Sequence, residues 1–211
     1  MTRSPFDAAL ESVEQLAELY EPAAQRAWDK DVGRLDDVVR ALVAASPLVV
    51  VSSVGSDGRA DASPRGGQPG FVSVLDDHHL AIPDATGNKR LDTLNNIVST
   101  GQAGLLFLIP GRDQTLRVNG RARVTEAPHV LERVGAVGKP PRTAIVVAAD
   151  EVYAHCPKAF IRSKLWDPDA WPSLEDVPTA AEVMHAHGRD PSVSVAEVQE
   201  YLDEAIRTRL A

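Results

Sequence analysis

The spacing of apolar residues changes near position 46, and that change divides the chain. Before it, Leu10, Val13, Leu16, Ala17 and Tyr20 recur at helical spacing, which puts them on one face of an amphipathic helix. Ser4 is read as its cap, with Pro5 at the first helical position and Asp7 three residues after the cap. Glu21-Pro22 interrupts this helix. A second helical piece runs through Trp28, and Leu35 to Ala45 forms a third with Val38, Val39, Leu42 and Val43.

From Pro47 the pattern is that of strands. Leu48 to Val54 is rich in valine and ends at Gly55-Ser56-Asp57-Gly58, a strong hairpin signal. Further strands are predicted at Ala60–Arg65, Gly70–Leu75, His79–Pro83, Gly104–Ile109, Leu116–Thr125 and Thr143–His155, with helices over Arg90–Ser99 and Pro128–Val137. Strands this short and turn-punctuated predict an antiparallel barrel. Beyond Trp166, Pro168, Pro172 and Pro178 keep the chain in a loop until Thr179-Ala180-Ala181-Glu182 and Ser194-Val195-Ala196-Glu197 cap two closing helices. The chain thus reads as mainly β with flanking helices: a helical extension over 1–45, a β core over 46–166, and a C-terminal loop and helices over 167–211.

Composition then narrows the function. With 44% hydrophobic and 25% charged residues, 211 residues can bury one sizeable core. A net charge of −8 argues against generic binding to nucleic acid or anionic lipid, so any positive patch is local. The single cysteine, Cys156, excludes an intramolecular disulfide framework and a thiolate metal site. The first residues lack a basic segment followed by an apolar run, and no stretch reaches the roughly 20 apolar residues of a membrane span, so a cytoplasmic protein is expected. His185-Ala186-His187 has no third ligand arranged beside it, and no metal is expected.

Four stretches carry candidate chemistry. In Ser63-Pro64-Arg65-Gly66-Gly67, the glycines let backbone approach a flat ligand while Arg65 reaches a planar anion or carbonyl; the same residues also read as a turn with a surface charge. Gly87-Asn88-Lys89-Arg90 opens a predicted helix, where the macrodipole disfavours cations. An external anion explains them, as does pairing of Lys89 and Arg90 with Asp84 and Asp92. Arg117, Asn119, Arg121 and Arg123 share one face of a strand, with Arg117 the candidate nearest a turn. Finally, His155 to Trp166 gathers a histidine, an indole and cations, with Lys158, Arg162 and Ser163 on one side of a short helix; a basic surface helix over a core tryptophan is the plainer reading.

The order of a valine-rich strand, a Gly-Ser-Asp-Gly turn, Ala62-Ser63-Pro64-Arg65-Gly66, Ile82-Pro83-Asp84, Gly87-Asn88-Lys89-Arg90, Leu105 to Gly111 and Leu116 to Gly120 resembles the pyridoxamine 5′-phosphate oxidase-like FMN-binding split-barrel family. His155 to Ala159 and Arg162 to Trp166 resemble a subfamily of flavoproteins with extra terminal helices. The resemblance covers roughly residues 35 to 170 and implies a six-stranded antiparallel split β-barrel that dimerises, with FMN in clefts between subunits. It implies that Ser63, Arg65 and Gly66 border the isoalloxazine, that Asn88, Lys89 and Arg90 hold the phosphate, and that His155, Lys158, Arg162 and Trp166 approach from the other chain or the cleft rim. The closing Trp and Arg pattern of the vitamin B6 oxidase is missing from the C-terminal segment.

The expected function is an FMN-dependent oxidoreductase acting on a small aromatic or heterocyclic substrate, with Arg65 or Lys158 tuning the flavin's potential. A non-catalytic FMN-binding or redox-sensing module and a deazaflavin-dependent reductase are the alternatives. Split barrels also host haem, but His155 is the only histidine near the expected cleft.

Overall fold

The structure, a computed structural model, describes residues 4–84, 89–188, 190 and 192–209. The segment through Asp31 forms a unit of its own. It carries α1 (Val13–Leu19) and α2 (Gln25–Trp28), and the cap of α1 is Ser12, whose side chain accepts from the Gln15 amide. The helix expected from Ser4 does not form. Ser4 Oγ accepts from the Phe6 amide at 3.2 Å in a turn, and Ala8 takes φ 61°, a left-handed conformation that ends it.

The second unit, from Val32 onward, holds the β core. It begins with α3 (Asp37–Ala45), capped by the Asp36 carboxylate, which accepts from the Val39 amide at 2.9 Å. There follow β1 (Leu48–Val54), β2 (Ala60–Gly66), β3 (Ser73–Val74), β4 (His79–Pro83), α4 (Asp92–Thr100), β5 (Gln102–Leu108) and β6 (Leu116–Thr125). Next come α5 (Pro128–Val134), β7 (Ala144–Ala154), α6 (Lys158–Ser163), α7 (Ala180–His187) and α8 (Val195–Arg209). The two closing helices start where the sequence places them. Thr179 and Glu182 exchange backbone and side-chain hydrogen bonds, and Ser194 and Glu197 do the same.

All seven strands join one antiparallel sheet in the order β2-β1-β5-β6-β7-β4-β3. Among the described residues the expectation of six strands is corrected to seven, and the sheet is not a closed barrel: no ladder joins its two edge strands, β2 and β3. The stretch expected as Gly70–Leu75 pairs only at Ser73 and Val74. Phe71 and Val72 are buried, but a turn from Gln68 to Phe71 and Gly70 at φ 87° spend the start of that stretch on reversing the chain.

The strand period decides which residues form the core. Val49 and Val51, Leu105 and Phe107, Leu116 and Val118, and Ile145 and Val147 alternate inward, joined by Leu35, Val39 and Val43 from the α3 region and Ile97 from α4. β4 is buried on both faces, because Ala81 on its outer side meets Val130 and Val134 of α5. The β6–β7 ladder shifts register between Asn119 and Gly120, which pair with Glu151 and Ala149 and leave Asp150 unopposed. A Cβ at Gly120 would run into the Ala148 carbonyl, so the bulge requires glycine there.

Candidate functional site

Three segments distant in sequence border one cleft of about 1030 Å³. The end of β2 supplies Ser63, Pro64 and Arg65; Asp84 and the start of α4 supply Lys89 to Leu94; the segment entering β7 supplies Lys139, Pro140, Arg142 and Thr143. Five of these side chains are cationic and two are carboxylates, so a chain of net charge −8 concentrates positive charge here.

Ser63 and Arg65 reach the cleft because positions two apart on a strand share a face. Arg65 Nη1 donates to Asp84 Oδ1 at 3.3 Å, with each side chain 22% exposed. The Asp84 amide in turn donates to the Thr143 carbonyl at 2.9 Å, which fixes the carboxylate beside the entry to β7. Arg65 Nε is buried and meets no acceptor among the described residues. A buried donor left unpaired costs on the order of 1–3 kcal/mol, so it marks where an external acceptor fits.

The start of α4 is unusual in two respects. Lys89 and Leu91 take left-handed φ values of 63° and 60°, which cost a side-chain-bearing residue about 1–2 kcal/mol each. Leu91 occupies the cap position and offers no side-chain acceptor, so the first amides of the helix are left without that partner. Arg90 Nε donates to Asp92 at 2.7 Å, while Asp84 is taken by Arg65 and not by Lys89. Lys89 makes no ion pair or hydrogen bond with a described residue.

Below this rim lies a polar cluster. Asp61 on β2 accepts from Thr93 Oγ1 at 2.6 Å, from Ser63 Oγ at 3.0 Å and from Ser53 Oγ at 3.4 Å, and Asn96 donates to Ser53 at 3.1 Å. Thr93 is 1% exposed.

Of the residues singled out from sequence, Ser63, Arg65, Lys89 and Arg90 come together here. Gly66 follows Arg65 at the end of β2, opposite Leu48, and Asn88 lies outside the described residues. Gly67 is needed for packing, since a Cβ there would fall 2.7 Å from Phe71 Cβ. Lys139, Arg142 and Asp61 were not anticipated. The visible signal for the first two was Lys139-Pro140-Pro141-Arg142, two cations bracketing stiff prolines just before a strand.

The second group stands elsewhere. Arg117 Nη1 donates to Tyr153 Oη at 3.2 Å, its guanidinium lies 5.7 Å from the Tyr153 ring centre, and His155 stacks on the same ring at 6.3 Å. Trp166 stacks on Phe160 at 5.8 Å and donates through Nε1 to the Arg112 carbonyl at 2.9 Å. Ser163 Oγ donates to the Phe160 carbonyl at 3.1 Å, and Lys158 and Arg162 are exposed on α6. None of these six lines the cleft. Thr143 precedes β7 and His155 follows it, and the strand's 11 residues extend roughly 36 Å at about 3.3 Å per residue.

Among the described residues, no cluster of three or more His, Cys, Asp or Glu could hold a metal ion, and no helix is long and apolar enough to cross a membrane.

No curated protein matches the chain. Among solved structures, a candidate pyridoxamine 5′-phosphate oxidase from Lactobacillus delbrueckii is similar at 23% identity and TM-score 0.46, over 59% of this chain and 98% of that one. An FMN-binding protein from Syntrophomonas wolfei aligns at 12% identity and TM-score 0.43, over 68% and 93%. HupZ from Group A Streptococcus aligns at 15% identity and TM-score 0.47, over 56% and 92%. The sequence profile of the pyridoxamine 5′-phosphate oxidase family matches residues 35–156, from the residue before the α3 cap to the residue after His155. That span is more than half of the chain, and the protein belongs to this flavin-binding split-barrel family.

Proposed function

We propose that the chain is an FMN-dependent oxidoreductase that works as a homodimer on a small aromatic or heterocyclic substrate. The observation that carries this reading is the cationic cleft, bordered by Lys89, by Arg65, whose buried Nε like Lys89 has no partner among the described residues, and by the uncapped start of α4. These donors fit a phosphorylated planar ligand: Lys89, Arg90 and the first α4 amides would hold the phosphate, and Arg65 would meet a polar edge of the ring.

A bound flavin supplies hydride transfer. The chain's own contribution is orientation and charge. Asp84 fixes the Arg65 guanidinium, and its positive charge favours an anionic reduced ring. His155, Lys158, Arg162 and Trp166 sit at the far end of β7 from the Thr143 wall of the cleft. A two-fold related copy would bring them to the rim, consistent with a family of flavin-binding dimers.

The test is the visible absorbance of protein purified without added cofactor, with mass analysis of what denaturation releases. Apoprotein is then titrated in parallel with FMN and a deazaflavin. Released FMN, followed by turnover with a reduced nicotinamide donor and an electron acceptor, is the expected result. FMN bound without turnover would indicate a storage or sensing module, and selective uptake of the deazaflavin would replace FMN. Colourless protein that ignores both cofactors would overturn the proposal.

A further inference from the structure

We infer that Asp61 is a positioning residue that locks the two walls of the phosphate subsite together, a role that rests on the flavin reading above. Asp61 does not border the cleft, yet two residues that do, Ser63 on β2 and Thr93 on α4, both donate their hydroxyl protons to its carboxylate. Ser53 on β1 donates as a third, at the position directly opposite Asp61 in the β1–β2 ladder. One carboxylate therefore ties two strands and a helix start to a common point.

The geometry explains how α4 begins without a cap. Leu91 provides no side-chain acceptor, and Thr93, in the first turn, is anchored sideways to Asp61 at 2.6 Å. A cap side chain would cover the first amides. A sideways anchor fixes the helix end and leaves those amides facing the cleft. The negative charge also sits at the positive end of the α4 dipole, where it is favoured. Asp61 makes no ion pair among the described residues, so its hydroxyl donors and the helix end are what stabilise its charge.

If Asp61 sets the placement of α4 against β2, its loss must weaken recognition of the phosphate more than recognition of the ring. The experiment measures affinity of the apoprotein for FMN and for riboflavin, which lacks the phosphate, in wild type, Asp61→Asn and Thr93→Val, with thermal melts alongside. The expected result is a loss of FMN affinity of roughly tenfold or more, the size of one misplaced charged hydrogen bond, with riboflavin affinity changed less than about threefold. Thr93→Val removes the donor and keeps the shape, so it should reproduce the loss and should not add to Asp61→Asn in the double variant. Equal weakening of both flavins, or unchanged FMN affinity in a folded variant, overturns the role. Should Asp61→Asn fail to fold, Thr93→Val alone decides. Wild-type protein that binds neither flavin would instead remove the cofactor reading on which the role depends.

Discussion

Arg65 on β2 donates to Asp84, just beyond β4, at 3.3 Å, although four strands separate β2 from β4 in the sheet. In a flat sheet with about 4.8 Å between strands these two would stand roughly 24 Å apart. The pair is therefore a direct sign of how far the sheet curls, and it crosses a seam where no strand ladder closes the curl.

Asp84→Asn should separate the two roles of this pair. At 22% side-chain exposure the interaction lies between a surface and a buried ion pair, so stability in urea should fall by about 1 kcal/mol, and by less at high salt. Affinity for an anion in the cleft should rise, because one opposing carboxylate charge is gone. Titration with FMN at two ionic strengths checks the second outcome.

Lys89→Gln should do the reverse. With no intramolecular partner to lose among the described residues, the variant should keep its stability within about 0.5 kcal/mol while its FMN affinity drops roughly tenfold. Arg90→Gln should lose less, since Asp92 already competes for that guanidinium at 2.7 Å. Flavin fluorescence titration of both variants tests the order.

Much of this arrangement was legible in the sequence where a local rule acts alone. The ranges of β1, β4 and β6 follow from residue period, and the starts of α7 and α8 from their capping boxes, because each signal lies within one element. Ser4 and Ser12 show the limit. Both precede helical patterns, and only the left-handed Ala8 decides between them. Lys139, Arg142 and Asp61 were missed for a different reason. Beyond the Lys139-Pro140-Pro141-Arg142 run, the place of Lys139 and Arg142 comes from sheet curl, and that of Asp61 from a contact to Thr93 across 32 residues, which no period encodes. Arg117 and the His155 to Trp166 group line no part of the cleft within one chain, and the resemblance expected His155, Lys158, Arg162 and Trp166 to approach from the other chain or the cleft rim.

Gly120→Ala should be among the most damaging single-methyl changes in the chain. Its Cβ would meet the Ala148 carbonyl, a backbone atom with nowhere to move in the β6–β7 ladder, and a loss of about 3 kcal/mol or more is expected. Gly58→Ala offers the contrast. Its φ of 80° is strained for alanine, but a Cβ meets nothing within 4 Å, so about 1–2 kcal/mol is expected. Denaturant unfolding of the two variants gives the comparison.

The closing helices carry a pH dependence of known sign. Hydrogen bonds from the Thr179 and Ser194 amides hold the Glu182 and Glu197 carboxyls below the ordinary glutamate value of 4.5. A pKa depressed in the folded state stabilises above the unfolded value and is lost as pH falls through the folded one. Helix content of α7 and α8 should therefore weaken below about pH 4.5, and Glu182→Gln with Glu197→Gln should flatten that part of the circular dichroism profile.

The open seam between β2 and the region after β4 has a mechanical meaning. A ladder must be broken one hydrogen bond after another, and the work grows with strand length. A single side-chain pair opens in one event whose cost does not depend on the rest of the sheet, and it recloses without register error because neither strand edge has to be matched again. Opening of the Arg65–Asp84 pair can thus leave the six ladders behind it paired, with β2 still tied to the start of α4 through Asp61 and Thr93.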